Sequence, residues 1–456
     1  MDDAVIATSL ETWRAPPPWR EERPGACGAI TAVPLTARVV NRATLAQQLL
    51  LTRERVGVID AVRRPAALQA QCDDLDGHSD PRHSPGMTDT TQAPAIQHAR
   101  QEGRLDDSSI ELRNDPRLHP RLLAALAAFG LDGHAAGPSI DRSAPPETIA
   151  EFVGQVHTGF EGLYAALPNE WPDEAPPGVT HRIETVQGVD GNEIALHIYR
   201  PAGADGPLPG TVYIHGGGMT ILEAHNRVHR QWSEDLAASG MVVVTVDFRN
   251  AWTAQGPNPF PAGLNDCNSA LDWIHEHRDE LGMTTLVLQG ESGGANLVLA
   301  TALKAKREGR LDRIDGVYAM VPYISGGYGW DSQRKLRELP SMVENEGHYL
   351  NCAMMDMLVA VYDPTGENAE NPLCWPYFAT EADVEGMPPH VISVNELDPL
   401  RDEGIAYFRL LQRAGVPVVG RVNLGLTHAA DMSFRQAVMD AYKATVRDIR
   451  GFAGSL

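Results

Sequence analysis

Six successive runs, "GTVYIHGG", "MVVVTVDFR", "TTLVLQG", "IDGVYAMVPYI", "PHVISVNELD" and "VPVVGRVNL", are nearly continuously apolar. A strand with water on one face alternates apolar and polar residues, so unbroken apolar runs need cover on both faces. Helical patterns at 225–239, 262–281, 294–310, 402–415 and 433–450 separate most of these runs and would supply that cover. Two earlier strand-like runs, "THRIETVQ" and "EIALHIYRP", raise the number to about eight. The pattern predicts an α/β fold with a mostly parallel central sheet flanked by helices. Functional residues are then expected in loops at the carboxyl ends of the strands.

The alternation fails in two places. Residues 1–106 are rich in proline and polar residues and have little sustained periodicity, so they are expected to lie outside the main fold; Met87 opens a stretch that reads like an ordinary amino terminus. Residues 107–180 carry helical patterns that could cover the sheet, ahead of the main α/β region over 181–456. Within that region, about 325–375 breaks the strand-helix rhythm and is expected to be a lid or cap inserted after the sixth strand.

Composition narrows the partners. Sixty acidic against 38 basic residues give a net charge of -22, which repels nucleic acid and anionic lipid. The five cysteines form no C-x-x-C pair and are odd in number, so neither a zinc site nor a closed disulfide set is expected. The acidic, proline-broken start lacks the regions of a signal peptide, and no run reaches the length of a membrane span. A cytoplasmic protein without stable membrane insertion is expected.

Two glycine-rich corners carry the chemistry. "GESGGAN" lies where an apolar run must turn into a helix, a corner at which glycines allow close approach and a serine, Ser292, can be pushed out as a nucleophile. "YIHGGGM" ends another apolar run. Its glycines let successive N–H groups face one point, as a developing oxyanion needs, and it lacks the spacing of a phosphate-binding loop. A serine nucleophile needs a base and an orienting acid, which follow such an elbow in the order Ser, Asp or Glu, His. Beyond the seventh run only one histidine remains, His428 in "LGLTHAADM". For the acid, "NELDPLRDEG" offers Asp398, favoured by its loop position, with Glu396 as the alternative. Asp402 and Glu403 read as first-turn acids of the next helix.

"HGGGM", "GESGGAN" and "ELDPLRDEG" followed by a late histidine resemble the hormone-sensitive-lipase-like branch of the α/β-hydrolase esterases; "NPFPAGLNDCNSALDWI" and "NPLCWPYFA" are similar to its intervening segments. The likeness runs from about residue 180 to the end and more loosely back to about 107. It implies an α/β-hydrolase fold with a helical cap. It also implies a carboxylesterase working through an acyl-enzyme, without metal or cofactor, on a small-molecule ester, and a possible homodimer. Carried onto this chain it implies Ser292 as nucleophile, His428 as base and Asp398 as acid, with the N–H groups of Gly216, Gly217 and Gly293 as the oxyanion hole. Small or short-acyl esters are the expected substrates. An acyltransferase or amidase on the same residues, and a non-catalytic receptor, are the alternatives.

The chain departs from the family's usual Asp-Ser-Ala-Gly-Gly, with Glu291 and Gly293 flanking the serine. It also lacks the Gly-Phe that usually follows the histidine, having Ala429 and Ala430 there. Met219, Trp252, Tyr323 and Trp330 fall near strand ends and could shape a pocket. Met354, Met355, Met357 and Leu358 could pack a lid helix or line an acyl pocket. His225 and His229 stand four apart, but without H-E-x-x-H or a third candidate ligand nearby they are expected to be surface or packing residues and not metal ligands. Asp266 and Cys267 read as helix-opening polarity and packing.

Overall fold

The computed structural model describes residues 110–168 and 178–456. The expected extension over 1–106, and with it Met87, lies outside the described residues. Eight strands form one sheet: β1 (Val179–Gln187), β2 (Glu193–Pro201), β3 (Leu208–Ile214), β4 (Val242–Asp247), β5 (Met283–Glu291), β6 (Gly316–Met320), β7 (His390–Asn395) and β8 (Val418–Asn423). Their order is β1-β2-β4-β3-β5-β6-β7-β8. β2 is antiparallel to both of its neighbours, and every pair from β4 through β8 is parallel, so only β2 runs against the rest.

Burial follows the hydropathy pattern. The inner strands β6 and β7 are buried at every position, whereas the edge strands β1 and β8 are mostly exposed. Eight longer helices accompany the sheet: α1 (Pro120–Ala128), α2 (Pro146–Ala166), α3 (Arg227–Ala238), α4 (Ala262–Glu276), α5 (Gly293–Arg307), α6 (Cys352–Tyr362), α7 (Arg401–Arg413) and α8 (Met439–Ala453). The most buried of them is α5, whose Leu297, Val298, Leu299 and Leu303 are all within the core. Lys304, Lys306 and Arg307 in its last turn complement the negative end of the helix dipole.

Between β6 and β7 the chain is helical, with short helices at Ser332–Glu338 and Ser341–Glu344 before α6. A buried ion network ties this segment to its surroundings. Arg117 reaches Asp115 at 2.7 Å and Glu344 at 2.6 Å, and Glu344 in turn reaches Arg401 at 2.8 Å. Such a network orients parts more than it stabilises them, because desolvation offsets much of the attraction. Cys267, Cys352 and Cys374 are free and buried. No described helix is long and apolar enough to cross a membrane.

Candidate active site

The parallel sheet places three chemically distinct side chains at one edge. β5 ends at Glu291, and Ser292 makes the turn into α5 with φ 56° and ψ -118°, a conformation costly for a residue with a side chain. Main-chain bonds hold it there. Ser292 N–H donates to Met320 O at 2.9 Å, Tyr323 N–H donates to Ser292 O at 3.1 Å, and Val321 N–H donates to Ser393 O at 2.7 Å. The serine side chain makes no cap to α5. Its hydroxyl is therefore not spent on the helix.

Asp398 follows β7 and His428 follows β8. His428 Nδ1 donates to Asp398 Oδ2 at 2.7 Å, and Asp398, fully buried at 0% exposure, also accepts Leu400 N–H through Oδ1 at 2.9 Å. The two loops are zipped together, with Leu397 N–H on Leu426 O at 2.9 Å and Asn395 Nδ2 on Thr427 O at 2.8 Å. Glu396, the alternative acid, is engaged elsewhere: its Oε2 accepts Gly425 N–H at 2.8 Å. Among the described residues no hydrogen bond within 3.5 Å joins Ser292 Oγ to His428. Nucleophile-base contacts are commonly longer in ligand-free enzymes and tighten with substrate.

The glycine loop departs from expectation at one position. Gly216 N–H, expected to face the reacting centre, donates instead to Glu291 Oε1 at 2.6 Å. Glu291 also accepts the Tyr213 hydroxyl at 3.2 Å and lies 3.5 Å from His229 Nε2. Burial pushes the Glu291 carboxyl up to about 8 and the His229 imidazole down to about 4. Near neutral pH both are uncharged, so their contact is not an ion pair. Gly217 and Gly218 both have positive φ, at 103° and 61°, and among the described residues their N–H groups and that of Gly293 donate to no acceptor. Of the loop's three glycines, the first has its N–H engaged and the second and third do not, among the described residues.

The remaining candidates divide. Met219 is buried beside Gly293, and Tyr323 is buried against Gly218 with its hydroxyl on Met355 O at 2.8 Å. Trp252 bonds back to Thr220 O at 3.1 Å and packs against His157 and Gly154 of α2. Trp330 is not part of this group: it packs against Tyr377 and Phe378, with the Arg334 guanidinium 3.6 Å over its ring. Met355, Met357 and Leu358 are buried in α6, with Met354 partly exposed. His229 faces the core, not the surface, and Asp266 is buried, binding Arg249 at 2.8 Å. Asp402 accepts Ser341 N–H at 2.7 Å, as a polar first-turn residue can. Glu403 does otherwise: it is buried, accepts the Tyr328 hydroxyl at 2.9 Å, and its carboxyl is raised to about 8 by burial.

Three supporting residues escaped sequence reasoning. Asn345 donates to Glu396 O and Asp398 O, both at 3.0 Å, and Ser341 Oγ donates to Pro399 O at 2.8 Å, so the β6–β7 insertion braces the acid's loop. Asp431, buried behind His428, accepts from Thr445 at 3.0 Å and Asn395 at 3.1 Å. No local motif marks the first two; Asp431 is signalled only by lying three residues after the histidine.

A mostly parallel eight-stranded sheet, a strand-serine-helix corner, and an acid and a histidine from the last two strand ends define an α/β-hydrolase fold. The sequence profile of that fold family matches residues 211–432. A brefeldin A esterase, described as a bacterial homologue of human hormone-sensitive lipase, is similar over 77% of this chain and 97% of its own, with 57% identity and a TM-score of 0.75. A solved esterase with p-nitrophenol is 37% identical over 75% of this chain and 99% of its own, with a TM-score of 0.66. Carboxylesterase NlhH of Mycobacterium tuberculosis is 30% identical over 309 residues, 66% of this chain and 91% of its own. The chain belongs to the hormone-sensitive-lipase-like branch of the α/β-hydrolase family and is a carboxylesterase.

Proposed function

We propose that the chain hydrolyses small, short-acyl esters with Ser292 as nucleophile, His428 as general base and Asp398 as the acid that orients it. The observation that carries the reading is the Asp398–His428 bond of 2.7 Å at the same sheet edge as the Ser292 turn. With Nδ1–H committed to the carboxylate, Nε2 is the basic nitrogen, able to take the serine proton as Oγ attacks the ester carbonyl. The resulting imidazolium protonates the leaving alcohol. Water then repeats the sequence on the acyl-serine.

The N–H groups of Gly217, Gly218 and Gly293 are the proposed oxyanion donors, a revision that replaces Gly216 with Gly218. Glu291 serves as their positioning residue through Gly216. A methyl group on residue 293 would lie 2.4 Å from Met219 N and 2.6 Å from Gly218 N, so the loop would have to retreat. Gly293→Ala keeps its own N–H and acts only by displacing Gly218, so it is expected to lower kcat for p-nitrophenyl acetate by about tenfold, less than the loss of a donor outright, with a smaller change in KM. An unchanged kcat would remove Gly218 from the donor set.

Helices α1 and α2 together with the β6–β7 insertion are the proposed cap. Support for a short acyl group comes from how tightly that insertion meets the glycine loop. Leu358 Cδ1 lies 2.9 Å from the place of a Cβ on Gly218, and Thr220 Oγ1 donates to Leu358 O at 3.4 Å. Across p-nitrophenyl esters of graded chain length, kcat/KM is expected to peak at acetate to butyrate and to fall at least about tenfold by octanoate. A flat or rising series would refute the size limit, and acyl transfer outpacing hydrolysis when a competing alcohol is added would reclassify the enzyme as a transferase. A homodimer is part of the proposal: β8 is an open edge with exposed Val419 and Val422, followed by exposed Leu424.

A further inference from the structure

His225 and His229, only four apart, part company in the fold. His229 turns inward beneath the glycine loop, whereas His225 meets two histidines from the β1–β2 hairpin, His181 and His197. In the hairpin register His181 lies opposite Tyr199 and His197 opposite Ile183, so His181, His197 and Tyr199 share one face. Diagonal neighbours on such a face are within reach of long side chains. That brings His181 Nε2 to 3.1 Å from His197 Nδ1, and one ring nitrogen from each of the three histidines lies within 4.8 Å of the others.

We propose that His181, His197 and His225 form a binding site for a zinc-class divalent cation. Two nitrogens bound at about 2.0–2.1 Å to a tetrahedral ion stand about 3.3 Å apart. The His181–His197 pair is already close to that spacing, with a proton where the cation would sit. Rotation of the exposed His225 side chain completes a three-imidazole set.

Charged and polar neighbours surround the three rings. Arg230 opposes a dication, and Glu234, 3.6 Å from its guanidinium, offsets that charge. Tyr199 OH, 2.9 Å from His225 Nδ1, holds that ring in the ion-free arrangement, stacked 4.5 Å from the His197 ring, and ligation would exchange this contact for the cation. His225 lies in the loop from β3 to α3 that also carries Gly216, Gly217 and Gly218. A bound ion would fasten the hairpin to that loop.

The test uses the full chain, stripped with a chelator and titrated separately with Zn2+, Co2+ and Mg2+. The expected result is one Zn2+ per chain bound at micromolar concentration or below, a rise in Tm, a visible ligand-field band with Co2+ and no response to Mg2+. His181→Gln and His225→Gln, both at exposed positions, are each expected to weaken Zn2+ binding at least about tenfold. Retained ester turnover in both variants would report an intact fold. Wild-type stoichiometry and affinity in the double variant would place the ion on other residues and overturn the proposal, as would no bound Zn2+ at millimolar concentration.

Discussion

Ser292→Ala is expected to lower kcat for p-nitrophenyl acetate by about four to six orders of magnitude. The size follows from the absence of a substitute, since nothing else in the proposed mechanism can form the covalent acyl intermediate. What survives is the modest catalysis that bound donors give to direct attack by water. The change should leave the fold alone. Ser292 Oγ bonds to nothing described and does not cap α5, and alanine keeps the Cβ, so thermal unfolding should match the parent. The variant should also take up no label from an organophosphate that reacts with the parent in one-to-one ratio. Turnover above about a tenth of the parent's would exclude Ser292 as nucleophile, because the residual rate after removing such a group lies far lower.

Asp398→Asn should cost about ten-thousandfold in kcat, through a tautomer and not through displacement. Leu400 N–H holds Oδ1 at 2.9 Å. In the variant that donor keeps the amide oxygen, leaving the amide NH2 against His428 Nδ1. The imidazole must then place its own proton on Nε2, which makes it a donor towards Ser292 where a base is needed. Glu396→Gln is the matched comparison, as Glu396 accepts Gly425 N–H and an amide oxygen can do the same. Its kcat should stay within about tenfold of the parent, the small effect of an uncharged acceptor retained in place. Should Glu396→Gln prove the more damaging of the two, the acid would have to be reassigned.

The sheet was readable because burial on both faces writes itself into composition. All eight strand-like runs became strands, and the helical patterns between them became α3, α4, α5, α7 and α8. Order and loop position pointed to the strand-to-helix corner at Ser292 and to the loops in which Asp398 and His428 meet. What stayed hidden depends on where side chains reach. That Gly216 N–H is occupied and Gly218 N–H is open is decided by the length and buried path of Glu291, which no spacing rule conveys. Glu403 sits in the first turn of α7 as expected, yet position along a helix does not say which way a residue faces, and its carboxyl points at Tyr328 and away from water. Trp330 lies in the right segment but against Tyr377 and Phe378. The three histidines come from two strands and a loop that only the sheet brings together.

The corner at Ser292 is fastened by amides and carbonyls of residues 292, 320 and 323, none of which is a side-chain group. Its angle is therefore insulated from most sequence drift. Neighbouring positions can change identity, as Glu291 and Gly293 have relative to the family pattern, without turning the serine away. Within that corner the substitution to avoid is proline at 292 or 323, which would delete a main-chain donor that no second residue duplicates.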